Sequence, residues 1–313
     1  MTNMENHINP SFFSIEKETL LHDFENYLRS EGQHFNTVRC NSALVSVFFD
    51  WLFREDLHYL QVSYNDLLAY INHSKARGNV KSTINGKLQG IKHFYNYLQK
   101  EEKVEYNPAE ELRIKGVIRR QPHDLIDWED LEQLYQNYPT NSLSGKRNKS
   151  MLGILIYQGV RTGELTAMEL KDVQLEQAQI YVPGVARSNS RSLKLESVQI
   201  LQLQHYITDV RPVLLNISGK KSERLFISMG MGTELHNILS VLMQKLRVTH
   251  PQVKTPKQIR ASVLTHWLSK YHLREVQYKA GHRYVSSTER YRTDFLETLR
   301  EQLEALHPLE SLR

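Results

Sequence analysis

Cysteine is almost missing from this chain: Cys40 is the only one in 313 residues. That excludes a disulfide within the chain and a cysteine-built zinc site. The thiol is expected in the interior of a protein kept in a reducing compartment. Long apolar runs are missing too. None approaches the length of a membrane span, and the start of the chain is polar, without the apolar core of a secretion signal. A cytoplasmic protein with no membrane partner is expected. Charge of one sign is barely in excess, with 40 Lys and Arg against 35 Asp and Glu, a net of +5. That excess permits a polyanionic partner without demanding one. Internal repeats and low-complexity tracts are also missing.

What is present is helical periodicity. In the first third, Leu20, Phe24 and Leu28 recur at helical spacing, and Leu44, Val47, Phe48, Trp51 and Leu52 form a second apolar face. Ser63 reads as the N-cap of a third helix, with Asp66 near the positive end of its dipole. Ile84, Leu88, Ile91, Tyr95 and Leu98 alternate steps of four and three, the stripe of a fourth helix. Residues 11–102 therefore form a helical N-terminal domain. The apolar pattern stops after Gln99, and residues 103–122, with Asn107-Pro108 and the cations Arg113, Lys115, Arg119 and Arg120, read as a linker. Residues 123–313 form a second domain. In it, Asp127 precedes a helix with acids in its first turn, and an apolar helix over 151–157 ends near Gly159. Segments 179–182 and 192–195 read as two strands joined by a polar turn, and the remainder is helical. The expected fold class is mainly α with a small antiparallel β-sheet.

Several segments carry chemistry. Thr255 and Gln258 form a capping-box pattern with Pro256 at the first helical position. Lys257 and Arg260 then fall three apart on the first turn, where cations oppose the helix dipole. A bound phosphate would reverse that sign, since backbone N–H groups and both side chains would face it. Far upstream, Arg161 sits in a turn where Glu164 can orient its guanidinium, a group able to grip two phosphate oxygens at once. His282 follows a glycine in a turn, and Tyr291 lies just inside the next helix. Taken singly, each has an ordinary structural reading: a solvated cation, an ion pair, a turn histidine, a half-buried tyrosine. Order and spacing make them a set.

Together these segments resemble the tyrosine recombinase (phage integrase) family, across most of the chain. Gly159-Val160-Arg161-Thr162-Gly163-Glu164-Leu165 is similar to the family's segment around its first catalytic arginine. In Lys257-Gln258-Ile259-Arg260, Arg260 matches the second arginine and Lys257 stands for the usual histidine. Ala280-Gly281-His282 matches the family's Leu-Gly-His segment, and Ser287-Thr288-Glu289-Arg290-Tyr291 its tyrosine motif. Compact two-domain members of the Xer and integron type fit best. The resemblance departs at one place. The family carries a lysine in the hairpin between its second and third strands, and Gly184-Val185-Ala186 stands there instead. Arg187 is the nearest cation, though a guanidinium is a poor proton donor, and Lys194 lies on the following strand, so either the register shifts and Lys194 serves, or Lys257 takes the role, or protonation is slow.

The resemblance implies a SAM-like helical core-binding domain and a mixed α+β catalytic domain. It implies a site-specific recombinase in which Tyr291 forms a 3′-phosphotyrosyl bond to DNA, with Arg161, Lys257, Arg260 and His282 around the phosphate and Glu164 in support. Neither cofactor nor metal is implied. The implied partners are double-stranded DNA with paired half-sites, further copies of the chain as a tetramer, and a directionality factor. The amphipathic tail through Phe295, Leu299 and Leu303 would dock on a neighbouring copy. Two other readings compete: an accessory DNA-binding relative with weakened catalysis, and a type IB topoisomerase.

Overall fold

In the computed structural model, residues 10–116, 124–185, 188–229 and 235–292 are described. Arg187 and the tail from Phe295 onward lie outside them. The chain divides into two compact units, 1–119 and 120–313.

The first unit holds four helices: α1 (Pro10–Ser30), α2 (Phe35–Arg54), α3 (Tyr64–Ala76) and α4 (Lys81–Lys100). Every residue of the α4 stripe is buried, and Phe24 and Phe49 each meet Phe94 edge-on, at 5.5 and 5.4 Å between ring centres. Gly90 lets α2 approach closely, because a Cβ there would lie 3.1 Å from that of Leu44. Two expectations are corrected. Cys40 is exposed, not interior. Part of the stretch read as linker belongs to this unit: Ala109 and Leu112 join its core, and Asn107 donates to the Lys92 carbonyl at 3.0 Å while accepting from the Ala109 N–H at 2.8 Å.

The second unit contains α5 (Trp128–Gln136), α6 (Leu143–Tyr157), α7 (Thr162–Ala167), α8 (Ser197–His205), α9 (Arg211–Ser218), α10 (Leu235–Thr249), α11 (Pro256–Lys270) and α12 (Leu273–Ala280), with residues 286–292 helical as well. Met151, Leu152, Ile154, Leu155 and Ile156 are all buried, so α6 is enclosed on every side as the central helix. A wide turn at Tyr206–Val210 joins α8 to α9, next to Pro212, whose missing N–H disturbs the regular ladder. The sheet is antiparallel in the order β1 (Val173–Gln174), β2 (Gln179–Val182), β3 (Arg191–Lys194). β3 thus starts one residue earlier than the apolar pattern predicts. Val182 pairs with Arg191 and Ile180 with Leu193, and these four side chains are buried. Among the described residues no helix is long and apolar enough to cross a membrane.

Candidate active site

Arg161 is delivered by the exit from α6. Gly159 takes φ +53°, and a Cβ there would press on Val263 at 3.1 Å, so glycine alone lets the chain turn so tightly against α11. Arg161 is then the N-cap of α7 and is half-buried. Glu164 does not act as the sequence suggests. Its carboxylate accepts from the Arg161 backbone N–H at 2.8 Å, and its oxygens receive the fork of Arg191 at 3.1 and 3.0 Å. Arg260 lies 3.8 Å from the same carboxylate. Burial pushes the Glu164 pKa up. The hydrogen bonds and charge of Arg191, the Arg161 N–H and the charge of Arg260 outweigh it and hold the group below its ordinary value.

α11 begins as read, with the Thr255 hydroxyl accepting from the Gln258 N–H at 3.1 Å. The capping box is only half formed: Gln258 accepts from the Lys254 N–H at 2.7 Å and donates to the Gln252 carbonyl at 2.9 Å. Lys257 is exposed, whereas Arg260 is buried one turn further in. Arg260 donates to the carbonyls of Gly159 and Ala280, at 2.5 and 2.7 Å, and to His282 Nε2 at 3.2 Å. Burial lowers its pKa to about 10 against the pull of Glu164, so it stays charged at neutral pH.

His282 follows the left-handed Gly281 that ends α12 and is 4% exposed. Arginine can only donate, so Nε2 is the acceptor toward Arg260; the ring proton then sits on Nδ1, donated to Thr288 Oγ1 at 2.9 Å. Burial, then the charges of Arg260, Arg161, Arg191 and Arg290, push the imidazole pKa down to about 3. His282 is therefore neutral in the free protein. Tyr291, buried on the helix over 286–292, lies with its ring nearly parallel to that of His282, 6.1 Å between centres.

The structure thus brings Arg161, Glu164, Arg260, His282 and Tyr291 together from three separate stretches. Lys257 stands at the same end of α11 on the exposed side. Lys194 does not join them. It shares the exposed face of β3 with Ser192, while Arg191 and Leu193 point inward, because strand side chains alternate. Two residues were missed. Arg191 fell just outside the strand read over 192–195 and was given no role, although its two-residue offset from Leu193 places it on the apolar face. Thr288 was quoted only as part of a motif, yet it is fully buried against His282. In sum, the buried guanidiniums of Arg191 and Arg260 meet one carboxylate, and the charge of Arg161 is felt at Arg260 and at a neutral imidazole. That excess of buried positive charge suits a phosphate diester.

Known proteins share this arrangement of segments. Residues 125–297 match the model of the phage integrase family, and residues 21–102 that of the phage integrase N-terminal SAM-like domain. The chain is 26% identical over 296 residues to tyrosine recombinase XerC of Oceanobacillus iheyensis, covering 93% of this chain and 96% of the relative. It is 31% identical over 284 residues to tyrosine recombinase XerC of Herpetosiphon aurantiacus, covering 87% and 89%. Among solved structures, the XerH site-specific recombinase bound to palindromic difH substrate, in its post-cleavage complex, matches with a TM-score of 0.71 at 15% identity, over 97% of this chain and 91% of that one. A lambda integrase tetramer bound to a Holliday junction matches with a TM-score of 0.61 at 13% identity, over 88% and 76%. At those identities the structural likeness speaks for the fold.

Proposed function

The chain belongs to the phage integrase family, and on that premise we propose that it is a site-specific DNA recombinase of the tyrosine type with Tyr291 as its nucleophile. The Tyr291 oxygen attacks the scissile phosphorus, a 3′-phosphotyrosyl bond forms, and the bond to the 5′-oxygen breaks with its electron pair on that oxygen. The 5′-hydroxyl of another strand then reverses the step. Bond energy is kept in the linkage, so the reaction calls for neither nucleotide nor metal. Arg161 and Arg260 aim fixed donors at the non-bridging oxygens, where charge builds up in the five-coordinate transition state; losing one such donor costs about 3 kcal/mol. A phosphate arriving beside His282 draws the Arg260 donor to itself and raises the affinity of the unprotonated Nε2 for a proton, which fits it to take the proton from Tyr291. Lys257 is the proton donor to the leaving 5′-oxygen, since an ammonium gives up a proton far more readily than a guanidinium.

The helical residues 11–102 serve as the core-binding domain and 123–313 as the catalytic domain, as the two matched family models suggest. Double-stranded DNA with paired half-sites is the substrate, in the cytoplasm. Four copies of the chain would synapse two sites, an assembly supported by the lambda integrase tetramer on its junction. A directionality factor is a further proposed partner. The observation that carries the reading is the convergence of Arg161, Arg260, His282 and Tyr291 in a buried site with positive charge to spare.

The test is trapping. Nicked duplexes carrying the DNA that flanks the gene are incubated with the wild type and with Tyr291→Phe, then resolved in SDS. An adduct with the wild type alone is expected. An adduct that persists in Tyr291→Phe would overturn the assignment. Specific binding without any adduct would favour the accessory DNA-binding reading, and relaxation of supercoils without strand exchange the topoisomerase one.

A further inference from the structure

We propose that Arg191 is a positioning residue that keeps Glu164 from neutralising the phosphate-binding arginines and ties the His282 turn to α7. The inference deepens the recombinase reading and rests on it for the identity of the bound phosphate. Arg191 has five N–H donors. Four are engaged: Nε to the Lys279 carbonyl at 2.6 Å, Nη1 to Glu164 at 3.1 Å and to the Asn189 carbonyl at 3.3 Å, and Nη2 to Glu164 at 3.0 Å. One side chain therefore joins α7, the strand hairpin and the end of α12. The fit is tight at the turn. A Cβ on Gly281 would lie 2.5 Å from Arg191 Nη1 and 2.8 Å from the Asn189 carbonyl oxygen, so the glycine of the Gly-His pair is dictated by Arg191 as well as by its own positive φ.

The pairing also sets the charge of the site. Glu164 is fully buried and lies 3.8 Å from Arg260, one of the two guanidiniums proposed to hold phosphate. Buried charges seek the nearest partner, because attraction grows as the dielectric falls. With Arg191 bound in a fork, the carboxylate is satisfied, and Arg161 and Arg260 keep their charge for the ligand. Without it, Glu164 turns that charge inward. Removing Glu164 and Arg191 together restores two uncompensated cations. Loss at Arg191 is thus rescued by a second loss at Glu164, an outcome that a purely structural role does not produce.

The full chain is prepared as wild type, Arg191→Gln, Glu164→Gln, Arg191→Lys and the double variant Glu164→Gln/Arg191→Gln. Two quantities are measured: the rate of SDS-resistant adduct formation on nicked duplex, and the rise in melting midpoint on adding inorganic sulfate, which needs no knowledge of the DNA site. Arg191→Gln is expected to lose about 100-fold in rate and most of the sulfate response. The double variant regains about tenfold of that rate, together with the sulfate response. Arg191→Lys, which keeps the charge but loses the fork, responds to sulfate yet cleaves slowly. A double variant that fails to fold, or that responds to sulfate no better than Arg191→Gln, overturns the proposal. If the sulfate pattern appears but the wild type binds the duplex specifically and forms no adduct, the recombinase reading falls and the role of Arg191 stands. If the wild type forms adducts and the double variant shows no rescue, only the role of Arg191 falls.

Discussion

Two helices of this protein begin with the same device and put it to different uses. At α3, in the first unit, Asp66 occupies the third position and accepts from the Ser63 N–H at 2.8 Å and the Ser63 hydroxyl at 2.7 Å. At α7, in the second unit, Glu164 occupies the third position and accepts from the Arg161 N–H at 2.8 Å. Asp66 stays half-exposed and its work ends with the cap. Glu164 is fully buried and also holds Arg191 beside Arg260. Their surroundings differ in kind. The interior around α3 is built of aromatic and aliphatic side chains, whereas around α7 three charged side chains share one buried site. A buried ion pair is rarely a better source of stability than apolar packing of the same volume. On the proposed reading, the second unit carries its charges for the phosphate they would bind.

The largest effect that would break the comparison is expected at Glu164. Glu164→Ala leaves Arg191 buried without its carboxylate, and truncating one partner of a buried pair costs about 3–5 kcal/mol. Urea denaturation followed by circular dichroism measures it. A loss under about 1 kcal/mol would place Glu164 on the level of a surface cap.

A middle-sized effect separates the units by pH. His282 is held neutral with a pKa of about 3, against about 6.5 for an unfolded histidine. The unfolded chain binds a proton there that the fold refuses, so this contribution is complete above about pH 6.5 and is lost as pH falls toward 3. In His282→Asn, stability should fall less steeply over that window than in the wild type. Midpoints of chemical unfolding at several pH values give the difference, and parallel curves would show that His282 is protonated in the fold after all.

The difference between the units also explains what was legible in the sequence. Apolar periodicity reports burial by packing, so the α4 stripe from Ile84 to Leu98 is found buried where it was read. Caps are local, and Ser63 and Thr255 could be named from a few neighbouring residues. Burial by charge pairing is not local. Arg191 enters the interior because Glu164, 27 positions away, meets it there, and an arginine between a polar turn and a short strand gives no sign of that partner. The one available clue was period two, which sets Arg191 beside Leu193 and turns Lys194 outward. Ala109 and Leu112 were missed for a related reason: two small anchors in a polar run are too few to register as a pattern, although they suffice to hold it on the core.

The smallest effect sharpens the comparison most cleanly, because it changes the same device where nothing else depends on it. Asp66→Ala removes the acceptor for the Ser63 N–H, while Ser63 Oγ still accepts from the backbone N–H at position 66 across 3.3 Å. One orphan donor of α3 is left to water, which the half-exposed site supplies. The expected cost is about 1 kcal/mol in unfolding, and adduct formation at saturating DNA should be unchanged. Set against Glu164→Ala, the pair isolates what burial adds to a capping carboxylate. If Asp66→Ala slowed cleavage as much as it lowered stability, the first unit would be reporting on the chemistry of the second, and the division of labour drawn from the two caps would be wrong.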